Sequence, residues 1–505
     1  MLRTIRRLFQ GRSARPALKP ALALERLEER SLLSANVLQT NLVSDLPGVA
    51  AVTDPNLVNP WGISESSGSP FWISDNNAGV STLYNVPGAN NTAVSINPLV
   101  VSIPTPVDLL GASGAPDGTV FNPDGGAAGG FKVSGLSKTG AATAASAIFL
   151  FATEDGTIVG WNPGVNPTGF DPAKAGTYGI IAVNNSGNNF TEPDPNQQTG
   201  AVYKGLAVAT SSTPIFSKDP ASTAVLYATN FRSGQVEVYD ANFGRVPLPA
   251  GAFSDPSIPK GFAPFNVQVL NGLVYVTYAK QDATRHDDVA GPGSGFVDVF
   301  NLNGTPALAK GNMRLASGGA LNSPWGLAIA PQGFAGINAP NNDAVLLVGN
   351  FGDGRINAFD ASTGAFLGQL KDPDGEPIQI DGLWALKVGN GGAGGATNTV
   401  YFTAGLFHET HGLFGSLTTA APGSPEGQAE AQTIQADLDV VQLNLKTVLN
   451  DLSSGASATQ LQQDVQALDQ SLIQLGQDEA RFDADILTDL GIGRHDHDGD
   501  DPFGG

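Results

Sequence analysis

The sequence predicts an all-β fold, a six-bladed β-propeller, and three observations predict it. One strand–turn–strand pattern recurs six times at a spacing of roughly 60 residues, which is typical of propeller blades. A further apolar segment precedes each copy. Glycine (63 residues) and proline (34 residues) are frequent, as many tight turns require. The copies are FWISDNNAGVSTLYNV (71–86), AIFLFATEDGTIVGWNP (147–163), AVLYATNFRSGQVEVYD (224–240), LVYVTYAKQD…GFVDVFN (273–301), AVLLVGNFGDGRINAFD (344–360) and TVYFTAGLFHETHGLFGSL (399–417).

The segment before each copy is short, apolar and often contains glycine. This composition suits the innermost strand of a blade, where backbones approach one another closely. We expect Trp61, Trp325 and Trp384, which lie in these segments, to be core residues packed between neighbouring blades rather than platforms for a ligand. The six segments are NPWGIS (59–64), DGTVFN (117–122), YKGLAVA (203–209), PFNVQVL (264–270), SPWGLAIA (323–330) and DGLWALKV (381–388).

An outer strand is predicted after five of the six strand pairs. Blade six ends at Leu417 without one, whereas residues 36–46 precede blade one and belong to no blade. We predict that residues 36–46 supply the missing outer strand, which closes the ring and hides both sheet edges. The five outer strands are LVVSIP (99–104), YGIIAV (178–183), a weak one near 247–253, NMRLAS (312–317) and AFLGQL (365–370).

Composition divides the chain into five parts. They are a basic leader (1–35), the propeller (36–418), a linker (419–427), a helical region (428–490) and an acidic disordered tail (491–505). In the helical region apolar residues recur at spacings of four and three, first from Ile434 to Leu452 and again from Leu461 to Ile486. This spacing predicts a coiled-coil-like pair of helices. The short turn between them favours an antiparallel hairpin, with oligomerisation through 428–490 as the alternative.

Charge and cysteine content exclude several classes of function. The net charge of −21 disfavours binding to nucleic acid or to an anionic lipid surface. The absence of cysteine excludes disulfides, thiolate metal sites and cysteine nucleophiles. No run reaches the roughly 18 apolar residues that a membrane span needs. Residues 1–35 hold eight Lys or Arg and three acids, which indicates a targeting segment, or else a disordered basic leader.

Candidate binding residues lie in the turns between the second and third strands, on the face where propellers usually meet ligands. Their carboxylate and amide oxygens could hold Ca²⁺, with Glu154, Asn230 and Asn350 as the metal candidates. The alternative is that Asp, Asn and Gly stand there because tight hairpin turns require them. The predicted binding face comprises Asp75, Asn76, Asn77, Glu154, Asp155, Asn230, Arg232, Lys280, Gln281, Asp282, Asn350, Asp353, His408, Glu409 and His411.

The turn of blade four, residues 278–295, is far longer than its counterparts. Asp282, His286 and Asp287 are the catalytic candidates, since a histidine beside carboxylates could be a general base or a transition-metal ligand. The favoured alternative is a charged, self-pairing cap over the mouth of the pore. The pattern LFHETHG (406–412) is not the zinc motif HExxH, and we interpret it as a turn.

The propeller region resembles an uncharacterised conserved bacterial family, some members of which carry a PEP-CTERM sorting tail. The segments that carry the resemblance include NLVSDLPGVAAVTDPNLVNPWGIS (41–64), FATEDGTIVGWNP (151–163), HDDVAGPGSGFVDVF (286–300) and VGNFGDGRINAFD (348–360). This chain has helices and an acidic tail where those members have the sorting tail. Residues 23–35, ALERLEERSLLSA, resemble an export-associated signature of planctomycete surface proteins. The resemblance implies a secreted or envelope propeller and no particular reaction.

Together these observations predict an exported propeller of the cell surface that binds an unknown protein or glycan without catalysis. The alternative is a Ca²⁺-dependent hydrolase of the sugar-lactonase or esterase type that uses the polar face. A fold alone does not choose between the two.

Overall fold

A computed structural model describes residues 36–420, except 89–92, 107–112, 126–128 and 188–198, together with parts of 440–474. Within these ranges six antiparallel sheets surround one axis, and the innermost strand of each sheet contacts the innermost strands of both neighbours. The predicted six-bladed β-propeller is therefore confirmed.

The described strands are β1 (Val37–Ser44), β2 (Val52–Thr53), β3 (Pro60–Ser64), β4 (Phe71–Asp75), β5 (Val80–Asn85), β6 (Ser95–Ile96), β7 (Val101–Ser102), β8 (Pro116–Phe121), β9 (Lys132–Leu136), β10 (Ala142–Ser146), β11 (Phe149–Thr153), β12 (Thr157–Trp161), β13 (Ile180–Asn184), β14 (Tyr203–Thr210), β15 (Ala224–Asn230), β16 (Gln235–Asp240), β17 (Phe262–Leu270), β18 (Leu273–Lys280), β19 (Phe296–Phe300), β20 (Arg314–Ser317), β21 (Pro324–Ile329), β22 (Val345–Asn350), β23 (Ile356–Asp360), β24 (Phe366–Gln369), β25 (Leu383–Val388), β26 (Val400–Gly405) and β27 (His411–Thr419). Short 3₁₀ turns lie at Pro172–Lys174, Ala309–Gly311, Phe334–Gly336 and Pro340–Asn342, and one helical turn at Leu406–Glu409.

The blades follow one another along the chain. Blade one comprises β3 to β7, and blade two comprises β8, β11, β12 and β13 with the hairpin β9–β10 inserted. Blade three is β14 to β16, blade four β17 to β20 and blade five β21 to β24. Blade six is β25 to β27, completed by β1, on which β2 pairs in parallel.

The first strand closes the ring as the sequence predicts. Strand β1 pairs antiparallel with β27, from Val37 opposite Thr419 to Ser44 opposite Leu413. The side chains of Val37, Leu42 and Val43 are fully buried, so this strand contributes apolar burial as well as backbone hydrogen bonds. The two ends of the propeller region therefore share one sheet.

Each innermost strand carries a local irregularity at the same place. The ladder of backbone hydrogen bonds shifts register directly after a paired residue near the start of the strand. The side chain of the residue that follows turns toward the axis. In four blades glycine follows this residue, and a Cβ on Gly62 or Gly118 would meet the backbone of the next blade at 2.3 or 2.6 Å. We call the six residues that turn inward the axial residues: Trp61, Asp117, Lys204, Phe265, Trp325 and Trp384.

Two predicted outer strands differ from the structure. In blade one the outer position holds only the short β6 and β7. In blade three the predicted strand near 247–253 was wrong, because no strand is formed there. Pro247 and Pro249 lie in this segment, and proline lacks the N–H that a ladder needs.

The described part of the C-terminal region is helical at 440–441, 444–448, 451, 459–468, 470–472 and 474. The Asn444 side chain donates a hydrogen bond to the Ala467 carbonyl (3.3 Å), which joins the two stretches. Val465 and Leu472, two of the apolar residues of the predicted coiled-coil-like repeat, are exposed. None of the described helices is both long and apolar enough to cross a membrane. The predicted leader (1–35) and acidic tail (491–505) lie outside the described residues.

Deletion of residues 36–46 tests the closure. We expect a markedly lower melting temperature, because the edge of β27 is uncovered and three buried side chains are lost, each contributing roughly 1.5–3 kcal/mol. Thermal unfolding of the full chain and of the deletion variant measures the effect. Equal unfolding midpoints would show that β1 does not hold the ring closed.

Candidate functional site

The axis is filled by an aromatic layer. The rings of Trp61 and Trp384 are stacked with centroids 3.4 Å apart, and Phe351 stacks on the other side of Trp384 at 3.9 Å. Trp325 meets both tryptophans edge-on. All three tryptophans are at most 3% exposed, so they are core residues, as expected. The layer contacts the polar residues of the mouth, by which we mean Lys204 and the side chains around it, through the Trp61 ring.

Lys204 is the axial residue of blade three, and its side chain is only 1% exposed. Its ammonium group binds the Glu154 carboxylate of blade two and lies 3.7 Å from the Asp287 carboxylate of blade four. It also lies over the Trp61 ring, 4.6 Å from the ring centroid. Burial alone would lower the pKa of Lys204, but the nearby carboxylates, led by Glu154 and Asp117, raise it above its usual value. The lysine therefore stays charged.

Asp117, the axial residue of blade two, lies beside this ion pair and is fully buried. The Asn76 side-chain amide donates to Asp117 (2.6 Å) and to Glu154 (3.2 Å), bridging the two carboxyl groups. The second oxygen of Asp117 has no hydrogen-bond partner among the described residues. Burial, reinforced by the charge of Glu154, raises the pKa of Asp117 well above its usual value. Blades one, two and three thus share one polar network.

Blade six contributes Glu409 through a strained turn. Phe407, His408 and Glu409 all have left-handed backbone angles, with φ of 52°, 56° and 65°. Such angles are unfavourable for residues other than glycine and persist where the surroundings enforce them. The Asn59 side-chain amide donates to the Glu409 carboxylate (2.9 Å), and the side-chain oxygen of Asn59 accepts from the Trp384 indole (3.1 Å). Burial raises the pKa of Glu409, and the charge of Glu154 raises it further.

The long turn of blade four reaches the polar network around Lys204 through Asp287. We call the residues of this network the cluster. Desolvation raises the pKa of Asp287, but a hydrogen bond with His286 and the charge of Lys204 outweigh it and lower the pKa to about 2. Asp282 accepts hydrogen bonds from the His286 backbone N–H (2.9 Å) and the Thr284 hydroxyl (2.6 Å), so it shapes the turn. The Asp287 side chain is 66% exposed, which leaves the cluster accessible from the mouth.

The side-chain amides of two predicted metal candidates bond within their own blades. Asn230 donates to Glu237 on the neighbouring strand (3.0 Å), and Asn350 donates to Asp353 within its own turn (2.9 Å). Among the described residues, ligand atoms of Glu154, His286 and Asp287 lie within 4.8 Å of one another. These three come from two blades only, and the Lys204 ammonium group already binds Glu154 and approaches Asp287.

Most of the remaining predicted residues bond to groups outside the Lys204 network or face solvent. Asp75 is fully buried and accepts from the Thr82 N–H (3.0 Å). Arg232 is buried and donates to the Gly200 carbonyl (3.1 Å). His411 contacts Asp45 (2.7 Å) rather than Glu409. The side-chain amides of Asn77 and Gln281 donate to the backbone carbonyls of Glu409 and Phe231. The Asp155 carboxylate accepts from the Ala115 N–H. Lys280 and His408 are exposed.

Three residues of the cluster were absent from the predicted set: Asn59, Asp117 and Lys204. The signal that could have found Asp117 and Lys204 is an aligned triplet at the start of each innermost strand. The triplets are PWG (60–62), PDG (116–118), YKG (203–205), PFN (264–266), PWG (324–326) and LWA (383–385). Their middle residue is aromatic in four blades, and an acid and a base occupy the other two.

The amino-acid sequence is similar to those of viral proteins. It is 32% identical over 382 residues to Uncharacterized protein R648 of Acanthamoeba polyphaga mimivirus, covering 74% of this chain and 78% of that protein. Uncharacterized protein L690 of the same virus is 32% identical over 387 residues, covering 74% and 84%. The chain belongs to the family of these proteins. No family model matches the sequence.

Solved structures of other proteins align with the chain only at low TM-scores and low sequence identity. A streptogramin B lyase aligns with a TM-score of 0.34 at 11% identity, over 76% of this chain and 97% of the other. The GH93 alpha-L-arabinofuranosidase of Fusarium graminearum aligns with a TM-score of 0.39 at 10% identity, over 76% and 98%. At these values the likeness carries no argument.

The pH dependence of stability tests the burial of the acids at the mouth. Burial raises the pKa of Asp155 to about 6, so between pH 4 and pH 6 the folded state holds a proton that the unfolded chain releases. Stability from this group is full below pH 4 and is lost as the pH rises through 6. We expect Asp155→Asn to gain up to about 3 kcal/mol relative to wild type across that window in urea unfolding.

Asp282→Asn is the matched control. Desolvation raises the pKa of Asp282, but hydrogen bonds, led by that from Thr284, outweigh it and lower the pKa. The stabilisation that the Asp282 carboxylate provides is therefore present above pH 4 and is lost as the pH falls. The difference between the control and wild type should therefore stay constant from pH 4 to pH 6, where that of Asp155→Asn changes, and should vary only below pH 4. A difference between Asp155→Asn and wild type that does not vary from pH 4 to pH 6 would contradict the assignment.

Proposed function

We propose that the mouth of the propeller binds a neutral, hydroxyl-rich ligand, such as the end of a glycan, without catalysing a reaction. The observation that carries this proposal is the ammonium group of Lys204, which is buried at the axis and paired with carboxylates of blades two and four. It supplies a fixed donor in the middle of fixed acceptors.

The charges around Lys204 favour a neutral ligand. An anion would meet the carboxylates of Glu154, Asp287 and Glu409 at short range, and like charges in a partly dry site repel strongly. A cation would have to displace the ammonium group from its partners. A neutral ligand requires neither change.

The hydrogen-bonding groups favour hydroxyls. A hydroxyl both donates and accepts, so it can use the carboxylate oxygens and the Lys204 and Asn76 donors in the same small area. The Phe407 side chain, 44% exposed in the turn that holds Glu409, offers an apolar face to the ring of a sugar.

We further propose that the protein is exported and acts at the cell surface, where an unknown protein or glycan is its partner. The basic leader and the resemblance to envelope propellers support this proposal, and fractionation of cells that make the full chain would test it. The predicted helical region (428–490) would then serve as an interaction appendage, and the contact between Asn444 and Ala467 supports an antiparallel hairpin.

The second candidate is a Ca²⁺-dependent hydrolase. The observation that favours it is the proximity of Glu154, His286 and Asp287, whose ligand atoms lie within 4.8 Å of one another. A cation at this place must compete with Lys204 for two of the three carboxylate and imidazole ligands, and for that reason we rank this function second.

A binding screen with the full chain separates the two functions. The probes are a printed panel of neutral, acidic and amino glycans, and separately CaCl₂ in thermal unfolding. We expect neutral glycans to bind, and Lys204→Met to weaken their binding at least about ten-fold, the equivalent of one charge-assisted hydrogen bond. The control is Lys280→Met, an exposed lysine of the same face, which should bind as wild type does.

Two outcomes would contradict the proposal. One is a panel in which only acidic glycans, or none, bind to a wild-type protein shown to be folded by circular dichroism. The other is a rise of several degrees in the melting temperature of wild type with CaCl₂, which would favour the hydrolase.

A further inference from the structure

Blade three differs from the other five because its fourth strand is incomplete. After β16 the chain turns back, and the N–H of Val246 donates to the Val238 carbonyl (2.8 Å). The pairing stops there, because the chain leaves the sheet through Pro247 and Pro249. The remainder of the outer edge of β16 therefore has no neighbouring strand among the described residues.

The open part of this edge is the backbone of Val236. The register of β15 and β16 is regular, so the outward-facing residues alternate, and Val238 and Asp240 both bond outward. Val236 is two residues before Val238, and its N–H and C=O must also point outward. No hydrogen bond to either group occurs among the described residues. A free donor and acceptor on a sheet edge form a template for another strand.

A groove of about 720 Å³ runs along this edge between blades three and four. This volume lies within the range of pockets that bind ligands. Tyr278 is a buried residue of the lining, and its hydroxyl has no hydrogen-bond partner among the described residues. The apolar part of the lining is formed by Val236, Val246, Leu248, Phe253, Ile258 and Phe262.

Four charged residues line the groove: Arg245 and Lys260 at its rim, and the buried side chains of Glu237 and Asp255, each bound to an arginine. Arg245 is bound to Glu237 (3.1 Å) with its side chain still 54% exposed. Lys260 is exposed and has no ion pair with any residue in the described ranges. This rim complements an acidic group on the occupant. A second copy of the chain is disfavoured as that occupant, because each copy carries a net charge of −21.

We propose that this groove binds an extended, mainly apolar peptide segment with an acidic end, which adds to blade three as its fourth strand. The backbone of Val236 supplies the ladder hydrogen bonds, the groove receives alternate side chains, and Lys260 binds the acid. This site is separate from the axial mouth and does not depend on the proposed function.

The probe is a set of fluorescein-labelled, acetylated heptapeptides in which Val, Ile or Phe alternates with Thr and one end is Asp. A matched set carries Pro at the central position. We expect the first set to bind the full-length protein in fluorescence anisotropy, and the Pro set not to bind. Hydrogen exchange should show protection of the Val236 amide only with the first set.

Two variants and a control sharpen the test. Val236→Pro removes the outward N–H without breaking the β15 ladder and should weaken binding about ten-fold. Lys260→Glu should weaken binding about three-fold or more, whereas Lys138→Glu, an exposed lysine of blade two, should not. If Val236→Pro misfolds, the Lys260→Glu comparison and the exchange data still decide.

Three results would overturn the proposal. The first is that no peptide of the alternating set binds. The second is that peptides bind without slower exchange at Val236. The third is that dodecanoate, used as a small amphiphile, displaces the bound peptide while the Pro set binds as well as the alternating set, which would show an apolar pocket rather than a strand site.

Discussion

The ion pair between Lys204 and the carboxylates around it is the interaction on which the mouth of the propeller depends. A lysine with 1% of its side chain exposed loses its hydration, and only nearby negative charge restores the balance. Glu154 and Asp287 supply that charge from blades two and four, and the Trp61 ring adds a third favourable contact. In turn the lysine neutralises acids that would otherwise repel one another. The chemistry of the mouth therefore follows from one residue of blade three.

This arrangement is possible because of how the innermost strands pack. Each strand bulges at the same place and turns one side chain toward the axis, and small residues beside it let neighbouring backbones approach closely. Four of the six axial residues are aromatic and fill the space, while Asp117 and Lys204 stand side by side in blades two and three. Breaks in the repeat, rather than the repeat itself, thus mark both candidate sites. The axial pair departs from the aromatic pattern, and the edge of β16 departs from the four-stranded pattern.

Sequence reasoning recovered the fold because strand pairs and turns are local patterns. The six pairs, the innermost strands and the closure by β1 all follow from apolar runs and from counting strands. The prediction of an outer strand near 247–253 was wrong, because it followed the apolar composition of the segment and gave too little weight to Pro247 and Pro249. The site was recovered only in part. Asn230 and Asn350 have the side chains that a metal needs, yet each bonds within its own blade. Lys204 was missed because a lysine in an apolar segment gives no local sign of the three carboxylates that reach it from other blades.

A double-mutant cycle between Lys204 and Glu154 tests the central claim most directly. Lys204→Met, Glu154→Gln and the double variant are compared with wild type in urea unfolding at pH 7. If the ion pair organises the mouth, each single variant is strongly destabilised and the coupling free energy is about 2 kcal/mol or more, because removing one partner leaves the other buried and unpaired. If the two substitutions are additive to within about 0.5 kcal/mol, the pair does not hold the mouth together and the account is contradicted.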